Sequence, residues 1–559
     1  MKNIITLLIL LISASSIAQV PNSFSFRSTV FKNDSIPLKN QNILVEIEIR
    51  NSNSIDAKIQ YAEYFEMTTN ERGSYALQIG AGTPTGDFIN LDDVDWMEGN
   101  KYVLARVYDE SNELISEGQS QLMAVPYALV ANQVVSKSAT SSHGILNLDE
   151  LREVSGMVDG DIAYVVGHTN YNDQGGGYFY FNEINNDDDD DGMTIDPNLR
   201  STPPPKEING RWERINYREV SIAFFGAQPN SDDDQTDIIQ KAIDYVEDEG
   251  HGGGVVYFPK GYYRVTQIIL RDYVSLHGEY GGYDGGTDIR PYNDTENALV
   301  ILDPTKPVRN IEVKNFSFTG NVGGEANMHC FAFNSDAGPG SPSEPSSGSG
   351  IWESSFQNIK IRGFKQNGIR LAGGTGSTVN QFLSFINVRV IKSIDQSSSR
   401  ALYMSGQNGQ ITFTDCTFSG PKFQNEGGEI GTNIEIIVPD DPTPFTAIIN
   451  FNTCTIEEAE VGVRLTHAQN INFNGCWFEN VENGIVGTNE CKSINIANSR
   501  FLNIGKDVSG AYVFKLTAGS IGASYGTFSN NLFRGSTPTT NYLQVEGGSQ
   551  IIEMNTRTD

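Results

Sequence analysis

Short apolar alternations recur through the second half of the chain, and each is introduced by a polar or small residue. These introducing residues form a column whose members are Asn315, Asn358, Asn387, Asp415, Thr453, Gly475, Asn498 and Asn530. The shortest steps along it suit three short strands joined by three turns, and the longer steps are coils with inserted loops. Stacked Asn side chains can hydrogen-bond along such a column at the coil spacing of roughly 4.8 Å. The pattern predicts a parallel β-helix.

A helical pattern precedes these coils. Between Thr236 and Val246 the apolar residues fall at helical spacing, and they are Ile238, Ile239, Ala242, Ile243 and Val246. The Gly-rich run 250–254 ends this helix, and a strand pattern follows at 255–265.

Earlier in the chain the pattern is different. Apolar and polar residues alternate over 24–30 and 43–49, and a turn at 70–73 leads into a strand at 74–79. Such short alternating strands predict a small antiparallel β-sandwich within residues 20–135. A Ser-rich linker follows at 135–142, and hairpin-like strands fill the stretch up to residue 217.

The most specific resemblance lies at 224–280. The chain reads FGA at 225–227, DIIQKAIDYVE at 237–247, GGGVVYFPKGYYRV at 252–265 and VSLHGE at 274–279. This resembles the opening of the pectate-lyase superfamily of single-stranded right-handed β-helices, in which such a helix caps the open end of the solenoid. The fold class expected is all-β: a right-handed parallel β-helix with an N-terminal capping helix, preceded by a small antiparallel β-sandwich.

Two weaker resemblances concern the segments before it. Residues 136–217 are similar to the small β-hairpin segment that precedes pectate-lyase-like β-helices in phage tailspikes and marine bacterial enzymes. Residues 20–135 resemble an N-terminal module of secreted Bacteroidetes proteins, through the turn at 68–73, the Val94-Asp95-Trp96 segment and the ending at 118–132.

The N-terminus reads as a signal peptide, with Lys2, an apolar run at 4–12 and small residues at 16–18. We therefore expect a signal peptide at 1–18, a β-sandwich attachment or spacer domain at 19–135, a linker and hairpin segment at 136–217, and a β-helix catalytic domain at 218–559. No apolar run is long enough for a transmembrane segment. The expected location is secreted, periplasmic or at the cell surface.

Charge narrows the choice of partners. The formal net charge is −30, which argues against nucleic acid, because phosphate binding needs a basic surface. An anionic substrate would need a local basic patch to overcome the overall repulsion. The five Cys all lie late in the chain, and Cys416, Cys454 and Cys476 share one inward slot. We expect buried free thiols there.

The resemblance implies a glycan groove beside one parallel sheet, whose strands follow the turn after the Asn column. Those strands align coil by coil through their inward apolar pairs, which leaves the central residue pointing outward. We name the resulting outward positions the groove line: Arg370, Tyr403, Glu435, Arg464, Val486, Lys515 and Gln544. Asn433 and His467 lie at its margins, and His329 lies near the groove.

These residue types favour a lyase that cleaves a uronate-containing, acidic polysaccharide by β-elimination. Such a lyase must neutralise the uronate carboxylate, remove the C5 proton and protonate the leaving oxygen. Arg370 and Arg464 suit the first task, and Tyr403 or His467 the proton transfers. The catalytic set expected is Tyr403, Arg464, His467 and Glu435, and the substrate-binding set is Arg370, Asn433 and Lys515.

Two other functions stay open. A glycoside hydrolase needs two carboxylates about 5 to 9.5 Å apart, which Glu435 can supply with Glu426 or Glu429 on the preceding loop. A glycan-binding adhesin would keep the fold without the chemistry, and the fold alone decides neither.

Cofactors and assembly are less marked in the sequence. The acidic run Asp187–Asp191 is the one candidate for Ca²⁺, although a dedicated calcium loop spaces its ligands, and a contiguous run is more typical of a solvated loop. No other cofactor is expected. Tailspike relatives form trimers, so the resemblance leaves a trimer open.

Overall fold

The structure is a computed structural model of the 559-residue chain. It describes residues 23–32, 36–52, 54, 57–85, 91, 94, 101–122, 145–171, 173–199, 207–215, 217–247, 252–279, 285–320, 325–333, 349–374, 376–392, 398–420, 431–438, 448–505, 510–520, 522–534 and 542–558. The expected signal peptide, the linker at 135–142 and both loop carboxylates, Glu426 and Glu429, lie outside these residues.

The chain divides into two compact units, residues 1–143 and 144–559. The first consists of short antiparallel sheets, as predicted. A five-stranded sheet has the order β7-β5-β4-β8-β9, while β1 pairs with β6 and β2 with β3. In β4 the alternating Val45, Ile47 and Ile49 are fully buried. The strands are β1 Phe24–Thr29, β2 Phe31–Lys32, β3 Ile36–Pro37, β4 Asn42–Arg50, β5 Ile59–Thr68, β6 Ser74–Ile79, β7 Thr83–Pro84, β8 Tyr102–Tyr108 and β9 Leu114–Gln121.

The second unit opens with a small antiparallel sheet. Helix α1, Leu148–Glu153, precedes four strands of order β10-β11-β13-β12, packed on Phe179, Phe181 and Trp212. The strands are β10 Ile162–Val165, β11 Gly177–Asn182, β12 Thr194–Ile195 and β13 Arg211–Ile215.

Helix α2, Thr236–Glu247, follows this sheet and covers the first coil of the β-helix. Its buried residues are Ile239, Ala242, Ile243 and Val246, which join the core of the β-helix. The predicted capping helix is thus confirmed. Neither α1 nor α2, the helices of the described residues, is long and apolar enough to cross a membrane.

The remaining strands form one 29-stranded arrangement of parallel pairs among the described residues, so the predicted fold class is confirmed. The strands are β14 Val220–Ser221, β15 Gly254–Phe258, β16 Gly261–Val265, β17 Ile268–Leu270, β18 Val274–Gly278, β19 Thr287–Pro291, β20 Ala298–Leu302, β21 Val308–Arg309, β22 Glu312–Thr319, β23 His329–Phe333, β24 Ile351–Arg362, β25 Ile369–Gly373, β26 Asn380–Ile391, β27 Leu402–Gly406, β28 Asn408–Thr414, β29 Thr417–Ser419, β30 Thr432–Ile437, β31 Ile449–Asn452, β32 Thr455–Thr466, β33 Gln469–Asn474, β34 Trp477–Thr488, β35 Lys492–Ala497, β36 Arg500–Leu502, β37 Phe514–Thr517, β38 Tyr525–Ser529, β39 Leu532–Arg534, β40 Leu543–Glu546, β41 Gln550–Met554 and β42 Arg557–Thr558.

Aromatic side chains stack through the interior, one per coil. The rings of Phe356, Phe385, Phe413, Phe451 and Phe473 follow one another at centroid distances of 4.7 to 4.9 Å. That distance is the spacing of neighbouring strands, because each ring occupies the same inward position in its coil. Burial of such large apolar side chains supplies the main stabilisation of the solenoid. The five Cys are free and buried, which confirms the prediction made for Cys416, Cys454 and Cys476.

The Asn column forms a line of left-handed turns. All eight of its residues have φ between 52° and 67°, a region that Asn and Gly tolerate better than other residues. The side chains also bond to one another: Asn358 Nδ2 donates to Asn315 Oδ1 at 3.0 Å, and Asn387 Nδ2 donates to Asn358 Oδ1 at 2.9 Å. Side-chain bonds thus link neighbouring coils at the turn, as the sequence pattern predicts.

Two variants at Asn387 separate the contribution of its hydrogen bond to Asn358 from that of its left-handed backbone conformation. Asn387→Ala removes the bond to Asn358 and leaves at φ 52° a residue that tolerates the left-handed region less well than Asn, so we expect a loss of about 1–3 kcal/mol in the free energy of unfolding. Asn387→Gly removes the bond but suits the backbone, so its loss should be smaller. Urea unfolding followed by circular dichroism measures both, and equal losses would contradict the left-handed constraint.

Candidate functional site

The groove line is a continuous series of parallel partners. Arg370 pairs with Tyr403, Tyr403 with Glu435 and Glu435 with Arg464. The series continues through Val486, Lys515 and Gln544. On the strands from β25 to β37 the neighbours of the central residue, such as Leu402 and Met404, are buried in the core, whereas on β40 Leu543 is partly buried and Val545 is 50% exposed. These inward anchors place the seven outward residues one coil apart, at about 4.8 Å.

Glu435 is the charged centre of this line. Its Oε2 accepts a bond from Arg400 Nε at 2.7 Å, and its Oε1 lies 3.8 Å from Arg464 Nε. The side chain of Arg464 is 41% exposed, whereas that of Glu435 is 12% exposed. The carboxylate therefore joins two guanidinium groups, and Arg464 remains accessible from solvent. Two cations against one carboxylate leave this part of the surface locally positive.

Arg400 is a site residue that the strand pattern does not predict. It lies in the turn just before β27, so it is not the central residue of any strand. Its backbone N–H donates to Asn367 Oδ1 at 3.0 Å, which attaches the turn to the previous coil. The only sequence signal is its place two residues before the inward Leu402.

Tyr403 lies between charges of opposite sign. The guanidinium carbon of Arg370 is 6.0 Å from the centre of the Tyr403 ring, and Glu435 is the partner on the other side. Burial and the charge of Glu435 raise the pKa of Tyr403, while Arg370 and Arg400 oppose that rise. The phenol therefore carries its proton at neutral pH, in contact with a group that can stabilise its phenolate.

Arg370 is 2% exposed although it points away from the core axis. Burial lowers its pKa, and the nearby Tyr403 opposes this. With 2% of its surface exposed, Arg370 is not accessible to a ligand, and its guanidinium instead lies over the ring of Tyr403.

Beyond Arg464 the groove line contains fewer charged side chains. Val486 is 5% exposed and carries no charge. Lys515 follows, with its Nζ 2.9 Å from Glu546 and 5.5 Å from the ring centre of Tyr512. The reactive residue types are thus concentrated on the coils from Arg370 to Arg464, and Lys515 lies two coils further along.

Two expected site residues lie away from this centre. Asn433 is fully buried, and its Nδ2 donates to the backbone carbonyls of Phe418 and Glu457 at 3.1 and 2.6 Å. His467 is 3% exposed in a turn with φ 53°, and its Nε2 is 3.8 Å from Glu490. Burial removes both from the accessible surface of the groove, so the proposal below does not use them.

His329 is buried at the start of β23, with 1% of its surface exposed. Its Nδ1 accepts a bond from the backbone N–H of Asn367 at 3.0 Å, which places the proton of the neutral ring on Nε2. Burial, aided by the charge of Arg370, lowers the pKa of His329 to about 3. The ring therefore stays neutral at physiological pH and supports the turn that holds Asn367.

Lys392 is a second titratable residue near the site that the strand pattern does not predict. It follows β26 and is 2% exposed. Burial and the neighbouring charge of Arg400 lower its pKa to about 8, and this adds a buried cation beside Arg400. No strand periodicity marks it, because it lies in a turn.

Glu435 has no second carboxylate among its partners on the groove line. The line partners of Glu435 are Tyr403 and Arg464, and neither is a carboxylate. No group of three or more His, Cys, Asp or Glu side chains in the described part of the chain is placed to hold a metal ion.

The acidic run is engaged within the protein. Asp189 accepts from Arg152 through both oxygens, and Asp190 Oδ1 accepts from the backbone N–H groups of Gly192, Met193 and Thr194. These carboxylates therefore do not fit a calcium cage.

The low pKa of His329 predicts that the stability of the folded chain decreases as the pH becomes acidic. Its value of about 3 in the folded chain lies below the ordinary pKa of about 6.5. Below that pH the unfolded chain binds a proton that the folded chain refuses, so stability present above about pH 6.5 is lost as the pH falls towards 3. His329→Asn should flatten this decline by up to about 1.4 kcal/mol per pH unit.

Urea unfolding of both proteins between these pH values measures the two slopes. Equal slopes would show that His329 takes up its proton in the folded chain.

Comparison with known proteins gives two family matches. Residues 219–486 match the family model described as "Rhamnogalacturonase A/epimerase, pectate lyase-like". Residues 144–217 match "Phage tail protein small four-stranded beta-sheet domain", in agreement with the sheet β10–β13. No curated protein matches the chain.

Several solved structures are similar. The enzymatically active domain of tailspike protein 2 from bacteriophage CBA120 is 16% identical with a TM-score of 0.50, over 74% of this chain and 58% of the phage domain. Tailspike protein gp49 from Acinetobacter baumannii bacteriophage Fri1, a capsular polysaccharide depolymerase, is 17% identical with a TM-score of 0.49, over 75% and 69% of the two chains. The A-module of mannuronan C-5 epimerase AlgE4 from Azotobacter vinelandii is 15% identical with a TM-score of 0.46, over 60% and 95%.

At such low identity a similarity shows the fold alone, and the chain spans less than two thirds of the CBA120 domain. The resemblance of residues 20–135 to a Bacteroidetes module stays a prediction. The family model and the observed fold together support the pectate-lyase superfamily for the β-helix of this chain.

Proposed function

We propose that the groove line binds an acidic polysaccharide and cleaves it by β-elimination. The observation that carries the proposal is the arrangement of Arg370, Tyr403, Glu435 and Arg464 on four successive coils. It brings a phenol between a buried guanidinium and a carboxylate that is itself bound by two guanidinium groups.

Charge favours an anionic polymer. Arg370, Arg400, Arg464 and Lys515 lie along or beside the line, whereas its ion-pairing carboxylates are Glu435 and Glu546. The chain as a whole carries −30, so this excess of cations is a local reversal of sign. A groove of one sign concentrates ligands of the other sign, and Arg is the residue best suited to a carboxylate.

In the proposed β-elimination a single side chain carries the proton from C5 to the leaving oxygen. In the proposed step the phenolate of Tyr403 takes the C5 proton of a uronate, and the C–H electrons form the C4–C5 double bond. The C4–O bond breaks, and the phenol returns the proton to the leaving oxygen. Arg464, whose side chain is 41% exposed, binds the uronate carboxylate and stabilises the charge that develops on it, while the buried Arg370 stabilises the phenolate of Tyr403. Proton and electrons balance without any further reactant.

One observation bears on each alternative. The hydrolase needs a second carboxylate near Glu435, and among the described residues the line partners of Glu435 are Tyr403 and Arg464, while Glu426 and Glu429 lie outside these residues. An adhesin is less favoured because the family model that matches 219–486 is described by two enzymes, a rhamnogalacturonase and an epimerase. We further propose that the protein acts outside the cytoplasm, on the basis of the signal-like N-terminus.

Removal of a single oxygen tests the proton transfer. Tyr403→Phe should keep the fold and the binding of polymer, because the cations remain, and should lower turnover by about 10²- to 10⁴-fold. Tyr525→Phe is the matched control, since Tyr525 lies on β38, away from the groove line, and is 45% exposed. Unchanged turnover in Tyr403→Phe would reject Tyr403 as the proton carrier.

The products distinguish the functions. Uronate polymers are incubated with the protein, and the ultraviolet absorbance of unsaturated uronate is followed together with reducing ends. A rise in both supports elimination. Reducing ends alone indicate a hydrolase, a changed C5 configuration without cleavage indicates an epimerase, and binding without products indicates an adhesin; each of these rejects the proposal.

The raised pKa of Tyr403 determines the pH profile. Because the phenolate is the reactive form, kcat/KM should rise with pH towards and beyond the ordinary tyrosine pKa of about 10. The charge of Glu435 contributes to the raised pKa, so Glu435→Gln should move this rise to lower pH. A profile that falls with increasing pH, or an unmoved rise in Glu435→Gln, would show that Tyr403 does not act as its phenolate.

A further inference from the structure

A cavity of about 290 Å³ lies on a different face from the groove line. It opens beside the strand segments that directly follow the Asn column. The outward residues of these segments are paired in register, Ser317 with Lys360, Lys360 with Arg389 and Arg389 with Thr417. All four line the cavity. We name them the second line.

Two cations lie at the centre of the second line. Lys360 and Arg389 are direct partners on neighbouring parallel strands and are both half-buried. Like charges placed directly opposite each other destabilise a sheet. Their pairing inside a concave site, in a chain of charge −30, is the arrangement expected where an anionic group binds between them.

The walls supply neutral and acidic hydrogen-bonding groups. One wall is the Asn column, where Asn358 and Asn387 each give one amide N–H to the previous Asn, so each keeps a second N–H. The other end holds Glu279, which accepts a short hydrogen bond from the phenol of Tyr257. Burial, with this bond, raises the pKa of Tyr257 to about 12, so the phenol remains a hydrogen-bond donor to Glu279.

Cations, amides, hydroxyls and two carboxylates, those of Glu279 and Asp415, line a small concave space, and these groups match those of an acidic sugar. The hydroxyls of a sugar ring both donate and accept, and its carboxylate or sulfate needs cations. The volume is near the lower end for ligand pockets, about 300 Å³, so it suits a short stretch of polymer rather than a long one.

We propose that this cavity is a second saccharide site, which holds an anionic unit of a polysaccharide away from the groove line. It goes beyond the proposed cleavage, because it requires binding alone. A polymer held at both places would be retained near the groove line between turnovers, since the second contact acts at high effective concentration.

Binding of the full-length chain tests the proposal directly. Tyr403→Phe serves as the background, so that cleavage does not remove the ligand, and the probes are polygalacturonate, alginate, a sulfated carrageenan and uncharged dextran. Lys360→Gln with Arg389→Gln should weaken the binding of at least one anionic polymer about tenfold or more, which is about 1.4 kcal/mol. Dextran binding should not change.

Arg500→Gln is the matched control. Arg500 lies further along the same face, next to Trp477 and outside the cavity, so its removal should leave binding nearly unchanged. In the wild-type background the double variant should raise KM for polymer and keep kcat on short oligosaccharides.

Equal weakening by Arg500→Gln would show a general charge effect and overturn the proposal. So would unchanged binding in the double variant, or absence of binding to every anionic polymer. The proposed cleavage is judged separately, from the products of the wild-type chain, so either proposal can fail while the other stands.

Discussion

Register between successive coils is the constraint on which the described part of the β-helix depends. Each strand pairs in parallel with the strand one coil away, so a residue of given inward or outward direction meets its counterpart at about 4.8 Å. The Phe356-to-Phe473 stack shows this spacing inside, and the Asn column shows it at the turn. A slip of one residue would turn apolar side chains outward on every strand concerned, so the core holds the register of both polar lines.

The same constraint explains how chemistry arises on a regular scaffold. A parallel stack places one residue of each coil beside one residue of the next, whatever their types. Arg370, Tyr403, Glu435 and Arg464 are therefore in contact range although the chain separates neighbours by about thirty residues. Lys360 and Arg389 meet by the same rule on another face. Like-charged neighbours such as Lys360 and Arg389 repel each other, and such a pair on an outward line marks a face on which a ligand is expected.

Residues in turns also contribute side chains to the candidate site. Arg400 reaches Glu435 from the turn before β27, and its backbone is held by Asn367, which in turn donates to His329. The buried imidazole therefore supports the arginine that binds the central carboxylate. Asn433 and His467 show the reverse case: both were expected at the groove, and the structure buries them. A position beside a strand does not reveal whether its side chain turns inward, because the turn conformation decides it.

Periodicity by itself determined the parallel β-helix, its capping helix and the order of the groove line, since inward apolar pairs define the register without knowledge of contacts. It also identified the Asn column as a turn position, whereas the left-handed backbone of these turns came from the structure. Only the tertiary structure decided the partners of Glu435, the burial of Arg370 and Lys392, and the cavity beside Lys360 and Arg389. These depend on how loops and turns of different coils pack over the strands, and such long-range packing leaves no periodic signal in the chain.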